Sequence, residues 1–160
     1  MRPSIVLSLL AATALAGCGG GAPKTPEVAA ERAVYTNARD CATGNKITIE
    51  QCSEAINKAI AEHEATAPKY TSIRSCETAE GEGKCDRIAD KQFRPRLLAF
   101  LVTLSKPPVA RPLYATIGGE QGFRLADKTM LLGTDETLTF STRATAAYEL
   151  NSKPVKKGLF

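Results

Sequence analysis

The chain has 160 residues, of which 43% are hydrophobic and 24% charged, and its formal net charge at pH 7 is +4. This length is enough for one small domain. Because the charge excess is small and both signs are interspersed, we expect an ordinary solvated surface and no nucleic acid partner.

The N-terminal residues predict an export signal. Arg2 provides a positive charge, residues 5–15 form an uncharged apolar run, and small residues lead to the tetrapeptide Leu15-Ala16-Gly17-Cys18. The run is shorter than the roughly 20 residues of a membrane-spanning helix. "LAGC" is similar to a bacterial lipobox, whose cysteine receives a lipid and becomes the new N-terminal residue. The sequence therefore predicts a signal peptide over 1–17 and lipidation at Cys18; an ordinary signal peptide that ends near a cysteine is the alternative.

The residues after Cys18 predict a tether over 18–32. The stretch "GGGAPKTPEVAAE" is rich in glycine, alanine and proline and has no apolar periodicity. Two or three acyl chains would keep the protein on a membrane almost permanently. By analogy with lipoprotein sorting, Gly19 rather than Asp after the cysteine favours the outer membrane. We expect a lipid-anchored protein of the bacterial cell envelope whose domain faces the periplasm.

Four further cysteines, Cys41, Cys52, Cys76 and Cys85, would lie in an oxidising compartment, where an even number indicates disulfides. Three pairings are open. We favour Cys41–Cys52 with Cys76–Cys85, because each closes a short loop near a helix end and each should stabilise the fold by about 3 kcal/mol. A crosswise pairing remains the alternative. The gaps of ten and eight residues match neither zinc pairs nor a Cys-x-x-Cys redox site.

The first half of the predicted domain, which spans 33–150, favours helices. After a short extended piece, Thr48 and Gln51 form a capping-box pattern, and apolar residues follow at three- and four-residue steps. This helix should end near Thr66, since Pro68 disfavours helical geometry at the residue before it. A second helix is predicted over 72–79 and is ended by the glycines that follow.

The second half favours strands. Residues 97–104 form a continuous apolar run that predicts a buried strand, and 112–117 with 123–126 predict a hairpin around "GGEQG". The segments 129–132 and 137–141 predict another hairpin. The expected class is α+β, with two N-terminal helices stapled by disulfides and a small antiparallel sheet of hairpins after them. Residues 151–160 are predicted to be a polar, basic tail.

The motifs do not predict catalysis. His63, the only histidine, has Glu62 and Glu64 on other helical faces and no second ligand at four residues, so a packing or surface role is favoured. "GEGKC" over 81–85 lacks the first glycine and the final hydroxyl of a phosphate loop, and no Gly-x-Ser-x-Gly elbow is present. We expect no enzyme activity, no catalytic residue, no metal site and no cofactor.

Three segments carry a family resemblance: "VYTNARDC" (34–41), "QCSEAINKA" (51–59) and "EHEATAPKYTSIRSCETAEGEGKC" (62–85). Together with the lipobox they resemble the YgiB-type bacterial lipoproteins. The likeness is good over 34–85 and weaker through "RPRLLAFLV" and "PLYATIGGEQGFRLA". The resemblance implies no mechanism, because this family has no assigned activity. Its members typically continue into a long Gly/Ser/Gln-rich tail, so any function of that tail is not carried over.

Two functions are expected. The first is a non-enzymatic structural or interaction role for a membrane-anchored lipoprotein that contacts an envelope protein or the cell wall. The alternative is a periplasmic small-ligand or peptidoglycan-binding module around Tyr70 and Tyr114, in which Tyr35, Tyr70 and Arg74 make the contacts. Packing or surface roles for these three side chains are the competing interpretation.

Overall fold

The computed structural model describes residues 30–117 and 122–151. The predicted signal peptide, Cys18, most of the predicted tether, residues 118–121 of the predicted hairpin and the predicted tail from 152 onward lie outside the described residues. In the part of the chain that is described, no helix combines the length and the apolar character needed to cross a membrane.

The described residues form four α-helices and eight strands. The helices are α1 (Ala38–Ala42), α2 (Ile49–Thr66), α3 (Ile73–Glu80) and α4 (Thr142–Asn151). The strands are β1 (Arg32–Tyr35), β2 (Cys85–Arg87), β3 (Phe93–Pro95), β4 (Leu97–Thr103), β5 (Val109–Ala115), β6 (Phe123–Arg124), β7 (Met130–Leu131) and β8 (Leu138–Phe140). The α+β class predicted from the sequence is confirmed.

Six strands form the main sheet in the order β7-β6-β5-β4-β1-β8, while β2 and β3 form a separate antiparallel pair. The apolar run that predicted a buried strand is β4. The hairpin predicted around "GGEQG" is also present, since β5 and β6 pair antiparallel with Tyr114 opposite Arg124. β1, the first strand of the described residues, is therefore next to the edge of the sheet, between β4 and the edge strand β8.

The second predicted hairpin is wrong. β7 pairs with β6, whereas β8 pairs in parallel with β1, so the sheet is mixed rather than wholly antiparallel. Without β8, the edge of β1 that faces away from β4 would leave unpaired backbone groups. Pairing there also brings Leu138 and Phe140 against the apolar residues of one sheet face.

The main sheet has an apolar cluster on each face. On β1, Ala33 and Tyr35 belong to one cluster and Val34 to the other, and β4 alternates in the same way, as a side-chain period of two requires. The first cluster packs against α1 and α2, and the second packs against residues of α4. The sheet is thus the middle layer between two helical layers.

The boundaries of α2 follow the sequence signals. Thr48 Oγ1 accepts a hydrogen bond from the backbone N–H of Gln51, and the Gln51 side chain accepts one from Thr48 N, which completes the predicted capping box. The helix ends at Thr66, because Ala67 is extended before Pro68. The second predicted helix is α3, which Ser72 caps and Gly81 ends with a φ of 108°.

Two disulfides join helices to neighbouring elements. Cys41–Cys52 connects α1 to the first turn of α2, and Cys76–Cys85 connects α3 to β2. These are the pairings that the loop lengths favoured. All four cysteines are buried, so the bridges are part of the packed interior.

Candidate functional site

A buried ion pair lies where α3 ends. Glu80 is the last residue of α3 and Arg124 the last of β6, and their side chains are only 9% and 7% exposed. Arg124 Nη2 donates a hydrogen bond to Glu80 Oε2. Burying either charge alone would be costly, so each residue makes the burial of the other tolerable. The turn at Gly81 and the pairing of β6 with β5 bring the two residues together across 44 positions of sequence.

Tyr70 gives the carboxylate a second hydrogen bond. Its hydroxyl donates a hydrogen bond of 2.6 Å to Glu80 Oε1. The backbone of Tyr70 is fixed by two hydrogen bonds to Phe93, of 2.8 and 2.9 Å. Burial, and then the neighbouring Glu80 carboxylate, raise the pKa of Tyr70 to about 12. The phenol therefore remains a donor to Glu80 throughout the neutral pH range.

Tyr114 and His63 support the other side of Arg124. The guanidinium carbon of Arg124 lies 5.3 Å from the centroid of the Tyr114 ring, a cation–π arrangement. Tyr114 Oη and His63 Nδ1 are 3.0 Å apart and share a hydrogen bond. Burial raises the pKa of Tyr114, whereas burial and the nearby Arg94 lower the pKa of His63. His63 is therefore a neutral packing residue near neutral pH, which agrees with the interpretation favoured from the sequence.

A cavity of about 270 Å³ opens beside this network. Its polar lining consists of Thr66, Tyr70, Glu80, Tyr114, Arg124 and Lys128. Its apolar lining consists of Ala67, Pro68, Ala79, Pro95, Ile117 and Ala126. The cavity thus combines one carboxylate, two cations and an apolar wall, which is the composition of a small-molecule site.

The structure does not bring the three predicted contact residues together. Tyr70 lines the cavity and Tyr114, which marked the predicted region, lines it as well. Tyr35 instead lies in the cluster against α1 and α2 and borders a different depression beside Asp40, because its position on β1 turns it toward the helices. Arg74 is exposed and is not among the cavity residues. It precedes Glu80 by six residues, which places it about 120° away around α3.

Sequence reasoning missed Glu80 and Arg124. No local signal for Arg124 was present, because an arginine between Phe123 and Leu125 matches the alternation of a half-exposed strand, in which the polar side chain faces solvent. In the structure all three side chains are buried, and a buried arginine needs an acidic or aromatic partner. Glu80 offered no signal either, since an acidic residue at a helix end is usually solvated.

Residues 30–117 and 122–151 contain no group of three or more His, Cys, Asp or Glu side chains that could hold a metal ion.

Comparisons with known proteins give a family and a relative. The family described as "Protein of unknown function (DUF1190)" matches residues 29–156. A "UPF0441 protein" from Serratia proteamaculans (strain 568) is 38% identical over 81 residues, which is 51% of this chain and 34% of that protein. The chain thus matches about a third of the length of this curated relative. No solved structure matches. The resemblance to an uncharacterised bacterial family is confirmed, and the chain belongs to the DUF1190 family of proteins of unknown function.

Proposed function

We propose that this protein is a lipid-anchored lipoprotein of the bacterial cell envelope whose domain has a non-enzymatic structural or interaction role. The observation that carries the proposal is the pairing of Cys41, Cys52, Cys76 and Cys85 in two buried disulfides. Such bridges persist in oxidising compartments outside the cytosol. The lipobox-like "LAGC" ending at Cys18 supports the same compartment and supplies the attachment point.

The position of β1 limits how far the domain can stand from the membrane. β1 starts at Arg32 and has strands on both sides, so its start is fixed within the sheet. Residues 19–31 lie between β1 and Cys18, and they span at most about 45 Å even if fully extended. A partner of the domain must therefore lie close to the membrane surface or in the cell wall layer beside it.

The state of the titratable groups supports a non-enzymatic role. The only histidine, His63, is 3% exposed and bonded to Tyr114. A general base must reach the proton that it removes, and a buried imidazole behind a tyrosine ring is poorly placed to do so. The Glu80 carboxylate is occupied by Arg124 and Tyr70 rather than poised for proton transfer.

The anchor can be tested with a Cys18→Ser variant. We expect the natural chain to incorporate labelled palmitate and to sediment with membranes, and the variant to lose the label. A Gly19→Ser variant, which keeps the cysteine, is the matched control and should keep the label. Incorporation of palmitate into the Cys18→Ser variant, or its absence from the natural chain, would overturn the proposal.

A second function, binding of a small periplasmic ligand or of peptidoglycan, is favoured by the cavity beside Tyr70 and Tyr114. Crosslinking in intact envelopes separates the two candidates. A reproducible protein partner supports the interaction role. Retention on cell wall sacculi without any protein partner supports the binding module.

A further inference from the structure

We propose that the cavity between the C-terminal ends of α2 and α3 and strand β6 binds a small ligand with a free carboxylate and an adjacent N–H group. The C-terminus of a short peptide has this chemistry. The proposal gives a site and a ligand class to the second function above, and it does not depend on the lipid anchor.

The charges of the lining favour an anion. Glu80 and Arg124 balance each other, and Lys128 adds a positive charge at an exposed position. Lys128 Nζ forms no ion pair within residues 30–117 and 122–151. An anionic group that enters the cavity therefore meets an excess of positive charge between walls of low dielectric, where attraction is strong.

Arg124 also has one N–H donor that is not hydrogen-bonded within the described residues. Its Nε is buried and has no hydrogen-bond partner in the part of the chain that the structure describes. Native proteins contain few buried donors without a hydrogen-bond partner, and each such donor needs a physical explanation. Arg124 lines the cavity, so a ligand carboxylate there lies beside a guanidinium of the right charge, and arginine suits planar carboxylates in particular.

Glu80 matches the second group of the ligand. Each of its oxygens accepts one protein hydrogen bond, from Tyr70 and from Arg124, while an ionised carboxylate has about four acceptor positions. Glu80 can thus accept one more N–H. A peptide C-terminus carries its last N–H and its carboxylate on the same carbon atom, and the adjacent Glu80 and Arg124 complement that pair.

Stabilising the fold does not require the buried ion pair. Replacing a buried ion pair by apolar residues of similar size is often neutral or stabilising. The cavity volume of about 270 Å³ lies just below the usual 300–1,000 Å³ of ligand sites. Pro68, Pro95 and Ile117 provide apolar contacts for a short side chain. The volume and these walls fit one or two small residues.

The binding test uses the full chain with its disulfides formed, labelled with ¹⁵N. N-acetyl-alanyl-alanine is the probe, and its C-terminal amide is the matched control compound. We expect saturable shifts of the backbone amides of Glu80, Arg124 and Lys128 with the acid, and at least about tenfold weaker binding of the amide, since charge-assisted hydrogen bonds contribute most. Equal binding of both compounds, or no saturable shift at these residues, overturns the proposal.

Two variants tie the binding to the cavity. Lys128→Glu should weaken binding of the acid about fivefold, whereas Lys91→Glu should not change it. Lys91 is the matched control because both lysines are exposed and both have positive φ values, 69° and 58°. The double variant Glu80→Leu/Arg124→Met keeps an apolar core in place of the ion pair and should reduce binding at least about tenfold. Unchanged binding in the double variant, or equal losses in the two lysine variants, contradicts the assignment.

Discussion

Among the described residues two acidic side chains, Asp40 and Glu80, are buried, and they have different partners. Both residues are almost fully buried. Asp40 Oδ2 accepts hydrogen bonds from Thr36 N, Thr36 Oγ1 and Ser141 Oγ, at 2.8, 3.1 and 2.7 Å. All of these donors are neutral. Glu80 instead accepts from a guanidinium and a phenol.

The Asp40 group connects distant parts of the chain. Ser141, which donates to Asp40, also accepts a hydrogen bond from Ala144 N at 3.0 Å in the first turn of α4. The carboxylate therefore links the β1–α1 corner to the start of the C-terminal helix. A surface depression borders Asp40 as well, so the presence of a neighbouring cavity does not distinguish Asp40 from Glu80. The difference is the buried cation beside Glu80, on which the proposed binding site depends, whereas Asp40 is a structural link between elements.

The largest expected effect tests the dependence of Glu80 on its cation. Arg124→Met leaves the carboxylate buried without a counter-charge, so we expect the free energy of unfolding to fall by about 3–5 kcal/mol. Urea unfolding followed by circular dichroism measures it. The double variant Glu80→Leu/Arg124→Met should recover most of this loss. A single variant that loses less than about 1 kcal/mol would show that the pair is not buried in solution.

Removing the other acid should have a smaller effect. Asp40→Ala deletes the acceptor of three hydrogen bonds, but the stranded donors are neutral, so we expect a loss of about 2–3 kcal/mol in urea unfolding. Asp127→Ala is the matched control. Asp127 accepts a backbone hydrogen bond from Thr129 of 2.9 Å in an exposed turn, and its removal should cost less than about 1 kcal/mol. Equal losses of unfolding free energy in the two variants would show that Asp40 is no more important to the fold than an exposed turn residue.

The elements that could be predicted are those set by local signals. The capping residues Thr48 and Gln51 define the start of α2, and Pro68 defines its end. The disulfide pairings followed from short loops, and β4 followed from its apolar run. β8 could not be placed, because its partner β1 is about a hundred residues away and a three-residue strand does not specify its neighbour.

The candidate site was harder to predict for the same reason. Of the three predicted contact residues, only Tyr70 lines the cavity. Tyr35 and Arg74 lie elsewhere, since side-chain direction depends on strand alternation and helix rotation. The Glu80–Arg124 pair depends on a contact across 44 residues, which no local pattern encodes.

A Tyr70 variant tests the hydrogen bond that Glu80 accepts from an uncharged donor. Tyr70→Phe removes the 2.6 Å hydrogen bond to Glu80 and should lower the free energy of unfolding by about 1–2 kcal/mol at pH 7. Because the pKa of Tyr70 is about 12 when folded and about 10 when unfolded, its contribution is present below pH 10 and is lost as the pH rises toward 12. The variant should therefore show a shallower loss of stability between pH 10 and 12. Parallel curves for the two proteins would contradict the raised pKa.

The smallest expected effect concerns His63, behind the Tyr114 ring. Its pKa is lowered by burial and by Arg94, so below about pH 6.5 the unfolded chain binds the proton more readily than the folded one. Stability should then fall as the pH is lowered from 7 to 5. His63→Gln keeps a hydrogen-bonding group for Tyr114 and cannot titrate, so its stability should change less over this range. If both proteins lose stability equally, the acid sensitivity belongs to the carboxylates. If only the natural chain loses stability, protonation of His63 disturbs the packing of Tyr114 against Arg124. The Glu80 site then responds to mild acid, whereas the Asp40 link does not.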